Sequence, residues 1–270
     1  MSHFILSCTT CATRAPGKDE ILECFKHAPP AGYRYWGIAG PTLWTRGLAR
    51  WLNTDLIVRL AAEAGFVGCT EVYGPQFPTG SVAEAVAAAP DMALLVDVAE
   101  TLRSPQVVFT GGRPNEGGLE ATIAGIEVLL PLIAGRPVRL AVEPHRHSQI
   151  ETRQDFDAIF RRIKSPQVGI TVDCGHFHSA GVDWDALICD YPDRIYNVHL
   201  KDHVGEQSVP IGKGEIDIRR LIKRLHQIDY RGALAVELEV VDPENLPRYC
   251  VEAYTYLYAL VEEVTGQPPA

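Results

Sequence analysis

The chain has 270 residues, of which 46% are hydrophobic and 22% charged, the proportions of an ordinary globular protein. Its formal charge of −9 argues against a nucleic-acid-binding role, because that role needs a basic surface for the phosphate backbone. No segment reaches the roughly 18 consecutive apolar residues that a membrane-spanning helix requires.

The N-terminus and the cysteines favour a cytoplasmic location. Residues 1–8 lack a basic segment followed by a long apolar run, so we expect no secretory signal peptide. The seven cysteines are an odd number scattered along the chain, which disfavours a disulfide framework in a protein of this size. Cys8 and Cys11 form one Cys-x-x-Cys pair, but a tetrahedral zinc site would need a second pair. We interpret them as small residues near the end of a first strand.

Predicted strands and helices alternate along the whole chain. The strands are short apolar runs near residues 4, 34, 69, 107, 140, 170, 197 and 235, the first of them over residues 3–8. Apolar spacing and capping residues predict helices over residues 18–27, 54–64, 81–102, 119–133, 155–163, 184–189, 218–228 and 246–264. Pro29-Pro30 is expected to end the first helix, and Pro90-Asp91 to interrupt the third. Residues 40–53 are predicted to form a long polar and aromatic loop.

This alternation predicts one α/β domain over residues 1–270. Parallel strands covered by helices are the structure that such alternation favours. Eight units in about 250 residues is the size of a (β/α)8, or TIM, barrel, whose active site lies at the C-terminal ends of the strands. No shift in composition and no charge run divides the chain. An open, doubly wound sheet is the alternative.

Four predicted strands end in one pattern: a small or polar residue, a valine, and then a side chain able to bind a metal. The segments are Ala141-Val142-Glu143, Thr171-Val172-Asp173, Asn197-Val198-His199 and Ala235-Val236-Glu237. Side chains alternate between the two faces of a strand, so each valine faces one way and the third residue the other. If the strands share one register in one sheet, the four third residues converge at one end of it.

We predict that these four residues bind one divalent metal. The ligands are Glu143, Asp173, His199 and Glu237. Three carboxylates and one imidazole form an oxygen-rich set that suits Mn²⁺ first, with Mg²⁺, Co²⁺ or Zn²⁺ as alternatives. The competing explanation is that the buried acids pair with lysine or arginine, and that the histidine is a core residue. We expect no basic residue on the same strand face, which favours the metal.

Further polar residues follow these strand ends. The residues expected to contact the substrate are His145, His176 and Lys201. For His176 we expect a contact with a substrate hydroxyl or a position next to the metal. Lys201 could instead neutralise its neighbour Asp202. The side chains for which a solvent-facing position is at least equally expected are His178, His203 and Glu239.

Five sequence motifs fall in order within roughly the last 135 residues. They are A-V-E-P-H (141–145), T-V-D-C-G-H (171–176), N-V-H-L-K-D (197–202), P-I-G-K-G-E-I-D (210–217) and D-Y-R-G-A-L-A-V-E-L-E (229–239). In these motifs the chain resembles the xylose-isomerase-like, sugar phosphate isomerase/epimerase superfamily, which also includes apurinic endonucleases. The first half matches only in its β–α alternation. The resemblance implies the same barrel and one divalent metal at the four predicted ligands. It also implies that Glu143 and Glu237 form the acid/base pair and that His176 contacts a substrate oxygen.

The residues and the resemblance together predict a divalent-metal-dependent isomerase or epimerase of a sugar, sugar phosphate or keto-polyol. A chelating cation stabilises the enediolate formed when the proton beside a carbonyl is removed. One glutamate would remove that proton and the other would return it. A metal-dependent dehydratase of a keto-polyol or keto-acid is the first alternative, because it shares the proton-abstraction step.

Two other functional classes are disfavoured. A phosphodiesterase resembling the apurinic endonucleases would need a three-metal cluster with histidines at earlier strand ends, but residues 71–74 and 109–112 contain none. A protein that only binds sugar needs no pair of carboxylates at a metal. The expected partner is a small carbohydrate, without nucleic acid or membrane, and a homo-oligomer is left open. Arg14, Arg46 and Arg113, with residues 40–53, are expected to shape the substrate pocket.

Overall fold

The computed structural model describes residues 4–270, so the predicted strand residue His3 lies outside the described residues. The strands are β1 (Ile5–Thr9), β2 (Tyr35–Ile38), β3 (Gly68–Tyr73), β4 (Gln106–Thr110), β5 (Arg139–Glu143), β6 (Val168–Asp173), β7 (Ile195–Leu200), β8 (Asp202–Val204), β9 (Gln207–Val209) and β10 (Ala233–Val236). The α-helices are α1 (Glu20–Ala31), α2 (Thr54–Glu63), α3 (Val82–Thr101), α4 (Gly118–Leu132), α5 (Arg153–Arg162), α6 (Cys174–Ser179), α7 (Trp184–Asp190), α8 (Ile218–Gln227) and α9 (Leu246–Thr265). Short 3-10 helices span Thr10–Thr13, Pro41–Leu43, Leu48–Trp51 and Pro192–Arg194.

Eight parallel strands close into a barrel in the order β1-β10-β7-β6-β5-β4-β3-β2. The predicted (β/α)8 barrel is therefore confirmed, and the open sheet is not formed. The remaining strands, β8 and β9, pair antiparallel as a hairpin that follows β7. Neither this hairpin nor the short helix α6 was predicted, because both are too short to show a clear apolar period.

The prolines have less effect on the helices than predicted. Pro29 and Pro30 lie inside the last turn of α1, which ends where Gly32 adopts a φ of 115° and its N–H bonds to the carbonyl oxygens of Ala28 and Pro29. Pro90 lies inside α3, which is continuous through it. An internal proline costs a helix about 3 kcal/mol. In α3 the burial of apolar residues on both sides of Pro90 offsets that cost.

The strand alternation separates the core from the site. The valines before the four predicted ligands are fully buried and belong to the hydrophobic core that includes the surrounding helices; they are Val142, Val172, Val198 and Val236. The residues that follow each of them point to the inside of the barrel, at its C-terminal end. No helix within residues 4–270 has the length and apolar character needed to cross a membrane.

The four ligand-bearing strands are staggered, which differs from the common register that we assumed. Asp173 is paired with His199 across β6 and β7. Val142 is paired with Ile170, so Glu143 lies two residues below the level of Asp173. Strands in a closed barrel tilt against its axis, and their register shifts accordingly. The ligands therefore reach one point from different heights along the barrel axis.

Candidate metal centre

The structure brings all four predicted metal ligands together. One ligand atom from each of the four lies within 4.8 Å of the others, and all four residues are buried; they are Glu143, Asp173, His199 and Glu237. Nδ1 of His199 is at the centre of the group. It lies 2.5 Å from Oε1 of Glu143, 3.2 Å from Oε2 of Glu237 and 3.6 Å from Oδ2 of Asp173. These distances place three carboxylates around one imidazole nitrogen.

The hydrogen bonding of these carboxylates fits a bound cation. Oδ2 of Asp173 and Oε2 of Glu237 are buried and have no acceptable hydrogen bond. Nζ of Lys201 is 3.0 and 2.9 Å from these oxygens, which is ion-pair distance without hydrogen-bond geometry. Buried carboxylates normally have full hydrogen bonding or a metal. Two unsatisfied oxygens beside an imidazole nitrogen suit a divalent ion that prefers mixed oxygen and nitrogen ligands.

The surrounding charges perturb the pKa values of the ligands. Burial lowers the pKa of His199, but the carboxylates of Glu71, Glu237 and Glu143 outweigh it and hold that pKa well above 6.5. Burial is also the main reason why the pKa of Glu143 is raised. The pKa of Glu237 is lowered to about 2, because the cations Lys201 and His199 outweigh the effect of burial. His199 must release its proton before Nδ1 can bind a metal.

Lys201 contradicts the expectation that no basic residue shares the strand face of the ligands. It follows His199 by two positions, so alternation turns both side chains into the barrel. Its side chain is only 1% exposed, and Nζ lies 2.8 Å from Oε2 of Glu239 in addition to Asp173 and Glu237. Burial lowers the pKa of Lys201, but these carboxylates together raise it well above 10.5. Acid–lysine pairing and a metal site thus share the same residues.

Asp202 is not neutralised by Lys201, which was one of the two roles considered for the lysine. The two side chains are on opposite faces because they are adjacent in an extended segment. The carboxylate of Asp202 instead accepts four backbone N–H groups at 2.8–3.2 Å, from His203, Gly212, Gly214 and Ile216. Asp202 therefore holds the hairpin and the loop that follows it against the barrel.

The three predicted substrate contacts lie at one edge of the metal centre. His176 is in α6, where Oδ1 of Asp173 accepts its backbone N–H at 2.7 Å. Nε2 of His176 is 3.1 Å from Nζ of Lys201 and 3.9 Å from Oδ2 of Asp173. The rings of His145 and His176 are 3.9 Å apart. Burial lowers the pKa of His176 well below 6.5, so its imidazole is neutral and can donate to or accept from a hydroxyl group.

The solvent-facing expectation is wrong for one of the three remaining polar side chains. His178 is partly exposed and lies 3.4 Å from a carboxylate oxygen of Glu215. His203 is buried, with Nδ1 2.8 Å from the hydroxyl oxygen of Ser179, so the expectation was wrong for this residue. Glu239 is about one-third exposed and pairs with Lys201, so it belongs to the edge of the metal centre.

Within the described residues, three cavities adjoin the centre. One of about 410 Å³ is lined by Trp44, Arg46, Tyr73, Gln76, Thr110 and His145. A second, of about 740 Å³, includes Arg14 and Glu239 in its wall. A third, of about 450 Å³, is lined by His145, His176, His203 and Glu239. Two of the three arginines expected to shape the pocket thus line a cavity, whereas Arg113 is exposed and lines none of these three.

Two residues of β3 contact the ligands and were missed from the sequence. The hydroxyl group of Tyr73 donates to Oε2 of Glu143 at 2.6 Å, and burial, followed by the charge of Glu143, raises the pKa of Tyr73. Oε2 of Glu71 is 2.7 Å from Nε2 of His199. The segment Glu71-Val72-Tyr73 was considered only for its lack of histidine. Its polar–valine–polar pattern, similar to that of the four ligand strands, was the available signal.

Comparisons with known proteins agree with this fold. A model of the family described as xylose isomerase-like TIM barrel matches residues 25–259. The inosose dehydratase of Clostridium perfringens is 26% identical over 165 residues, which cover 53% of this chain and 55% of that protein. The chain therefore spans about half the length of that curated relative.

Solved structures share the fold at lower sequence identity. A crystal structure of the IOLI protein with a binding zinc atom has a TM-score of 0.76 at 18% identity, covering 97% of this chain and 100% of that one. The 3-keto-D-glucoside 4-epimerase YcjR from E. coli has a TM-score of 0.73 at 16% identity, covering 95% and 100%. Since the family model matches most of the sequence, the chain belongs to the xylose isomerase-like TIM barrel family.

Proposed function

We propose that this protein is a divalent-metal-dependent isomerase or epimerase that acts on a carbohydrate. The observation that best supports this function is the placement of two glutamates at the metal centre. β6 and β7 separate β5 from β10 in the barrel wall, so Glu143 and Glu237 approach from different directions. Both still lie close to His199, with carboxylate oxygens 2.5 and 3.2 Å from Nδ1. Two carboxylates arranged in this way can reach opposite faces of one carbon atom.

A divalent cation held by the four ligands would polarise the substrate carbonyl and acidify the neighbouring C–H bond. Glu237 then removes the proton, and the electrons of the C–H bond shift toward the carbonyl oxygen to give an enediolate. Glu143, protonated at the start, gives its own proton to the opposite face of the same carbon, which inverts the centre. Alternatively it protonates the neighbouring carbon while the hydroxyl proton there passes to the original carbonyl oxygen, which moves the carbonyl group. The hydrogen bond from Tyr73 orients Glu143 for this transfer.

The polar groups beside the centre suit the hydroxyl groups of a carbohydrate. His145, His176 and Lys201 together offer two imidazoles and one ammonium group at one edge. The cavity of about 410 Å³ next to Tyr73 falls within the usual range of small-molecule sites, about 300–1,000 Å³. We therefore assign the substrate to the space between this cavity and the metal centre, with the ring or chain hydroxyls directed toward the histidines.

A dehydratase of a keto-polyol is the second candidate, and Lys201 is the observation that favours it. Its buried ammonium group lies 2.9 Å from Glu237, where it could protonate a departing hydroxide. The reaction would begin with the same proton abstraction by Glu237 and end with the loss of water from the next carbon. The 26% identity to an inosose dehydratase also supports this candidate.

Turnover in D₂O separates the two candidates. We would incubate the protein with Mn²⁺ and a panel of ketoses, inososes and keto-acids, and analyse the products by mass spectrometry and NMR. An epimerase with two bases should place deuterium on the carbon beside the carbonyl in nearly every product molecule, because each carboxylate exchanges with solvent between turnovers. A product lighter by one water identifies the dehydratase. A single-base isomerase would show partial transfer of the original proton. Conversion without loss of water and without carbon labelling, in the absence of internal proton return, would exclude both candidates.

Two substitutions test the separate roles of the ligands. Asp173→Asn should abolish metal binding, because Asp173 is proposed as a ligand only. Glu237→Gln should keep part of the metal through its amide oxygen but lose at least about a hundredfold in turnover, the usual scale for a lost general base. Glu252→Gln, on the exposed side of α9, is the matched control and should leave both unchanged. Full activity in Glu237→Gln would remove this residue from the mechanism.

A further inference from the structure

Glu71 is a buried carboxylate below the metal ligands. The proposed chemistry assigns it no role. It lies on β3 and is fully buried. Its Oε2 is 2.7 Å from Nε2 of His199 and 2.5 Å from Nδ2 of Asn197. Its Oε1 has no hydrogen-bond partner. An ionised carboxylate in such a position is costly unless its charge interacts with a specific partner, and here that partner is His199.

The backbone around Glu71 makes room for this contact. Between β2 and β3, Trp36 pairs with Cys69 and Ile38 with Val72, so β3 contains one extra residue at this point. Such a bulge changes the direction of the side chains next to it. On β2, a Cβ atom at Gly37 would lie only 2.6 Å from Cγ of Glu71. The bulge and the glycine together allow the carboxylate to reach beneath the histidine.

We propose that Glu71 is a positioning residue that prepares His199 to bind the metal; this inference rests on the proposed metal site. The carboxylate accepts the Nε2–H of His199 and so fixes the tautomer whose Nδ1 lone pair faces the three ligand carboxylates. Asn197, two residues before His199 on the same strand face, donates to the same oxygen and holds it in place. A carboxylate bonded to a ligand histidine also increases the basicity of the ligating nitrogen.

Two substitutions at Glu71 separate the effect of charge from that of hydrogen bonding. Glu71→Gln keeps an acceptor for Nε2–H but removes the charge, whereas Glu71→Met removes both at a similar volume. Loss of such a partner usually weakens metal binding about 10- to 100-fold. We expect the dissociation constant for the metal to rise about tenfold in Glu71→Gln and about a hundredfold in Glu71→Met.

The matched control is Glu20→Gln. Glu20 is also buried, and it accepts the backbone N–H of Thr42 at 2.9 Å, outside the metal centre. The same chemical change at this position should leave the dissociation constant for the metal within about twofold of that of the wild type, because no contact joins Glu20 to His199. A weaker affinity in this control as well would assign the effect to general loss of buried carboxylates rather than to Glu71.

The experiment is a titration of the metal-depleted full-length protein with Zn²⁺ or Mn²⁺ by calorimetry, together with NMR of the zinc-loaded form. In the wild type, His199 should show a slowly exchanging Nε2–H resonance, and this resonance should be lost in Glu71→Met. If Glu71→Met does not fold, the tenfold change in Glu71→Gln is the decisive result. Wild-type affinity and an unchanged resonance in the Glu71 variants would overturn the positioning role. A wild type that binds no metal would instead overturn the metal site itself.

Discussion

Replacing Lys201 by methionine should make the stability of the protein depend on metal. Methionine keeps most of the volume of the side chain but removes the ammonium group that lies 3.0 Å from Asp173, 2.9 Å from Glu237 and 2.8 Å from Glu239. The first two carboxylates are almost fully buried, and removing one partner of a buried ion pair costs about 3–5 kcal/mol. At about 2–4 °C per kcal/mol for a chain of this size, Tm should fall by about 6–20 °C.

The fall in Tm caused by Lys201→Met should be smaller when a divalent cation is present, because the metal supplies positive charge to the same carboxylates. Differential scanning calorimetry of metal-depleted protein, with and without excess Mn²⁺, measures both parts of the prediction. Free Mn²⁺ at about a hundredfold excess over its dissociation constant should raise the free energy of unfolding by about 2.7 kcal/mol. Lys223→Met, at an exposed position of α8, is the control and should change stability by less than about 0.5 kcal/mol. An unchanged Tm in metal-depleted Lys201→Met would refute the reasoning.

Three further predictions concern other buried polar groups. Asp202→Asn should destabilise the protein by roughly 1–3 kcal/mol for each backbone N–H left without an acceptor, measured by urea unfolding; unchanged stability would contradict its role in holding the hairpin. Burial raises the pKa of Glu20 above 4.5, so the folded state favours the protonated carboxyl group. The resulting contribution to the free energy of unfolding is present below pH 4.5 and is lost as the pH rises through the folded pKa. Glu20→Gln should therefore raise Tm more at pH 7 than at pH 4, and an equal change at both would show that the pKa is not shifted. Metal binding at pH 7 should release at least one proton, because carboxylates hold the pKa of His199 well above 6.5 against the effect of burial. Calorimetry in buffers of different ionisation enthalpy measures this number, and a value of zero would contradict a protonated His199.

The sequence by itself was sufficient for the barrel and for the four candidate ligands. Both depend on local patterns: β–α alternation implies parallel strands, and alternation along each strand implies that a residue next to a buried valine faces the other way. Alternation along β7 also places Lys201 on the face of His199, so the sequence itself contains the signal for a basic residue beside the ligands. The predicted helix boundaries were less accurate. Helix α3 continues through Pro90, because its tertiary packing outweighs the local free-energy cost of the proline.

Only the tertiary structure decided which side chains meet across the barrel. Glu71 and His199 are 128 residues apart in sequence, and Tyr73 and Glu143 are 70 apart, yet each pair is in hydrogen-bond contact. Those contacts depend on the stagger of tilted strands and on one extra residue in β3, neither of which has a local sequence signal. Local pattern determines which face a side chain occupies. Closure of the barrel determines its height and therefore its partners, because register is a property of two strands and not of one.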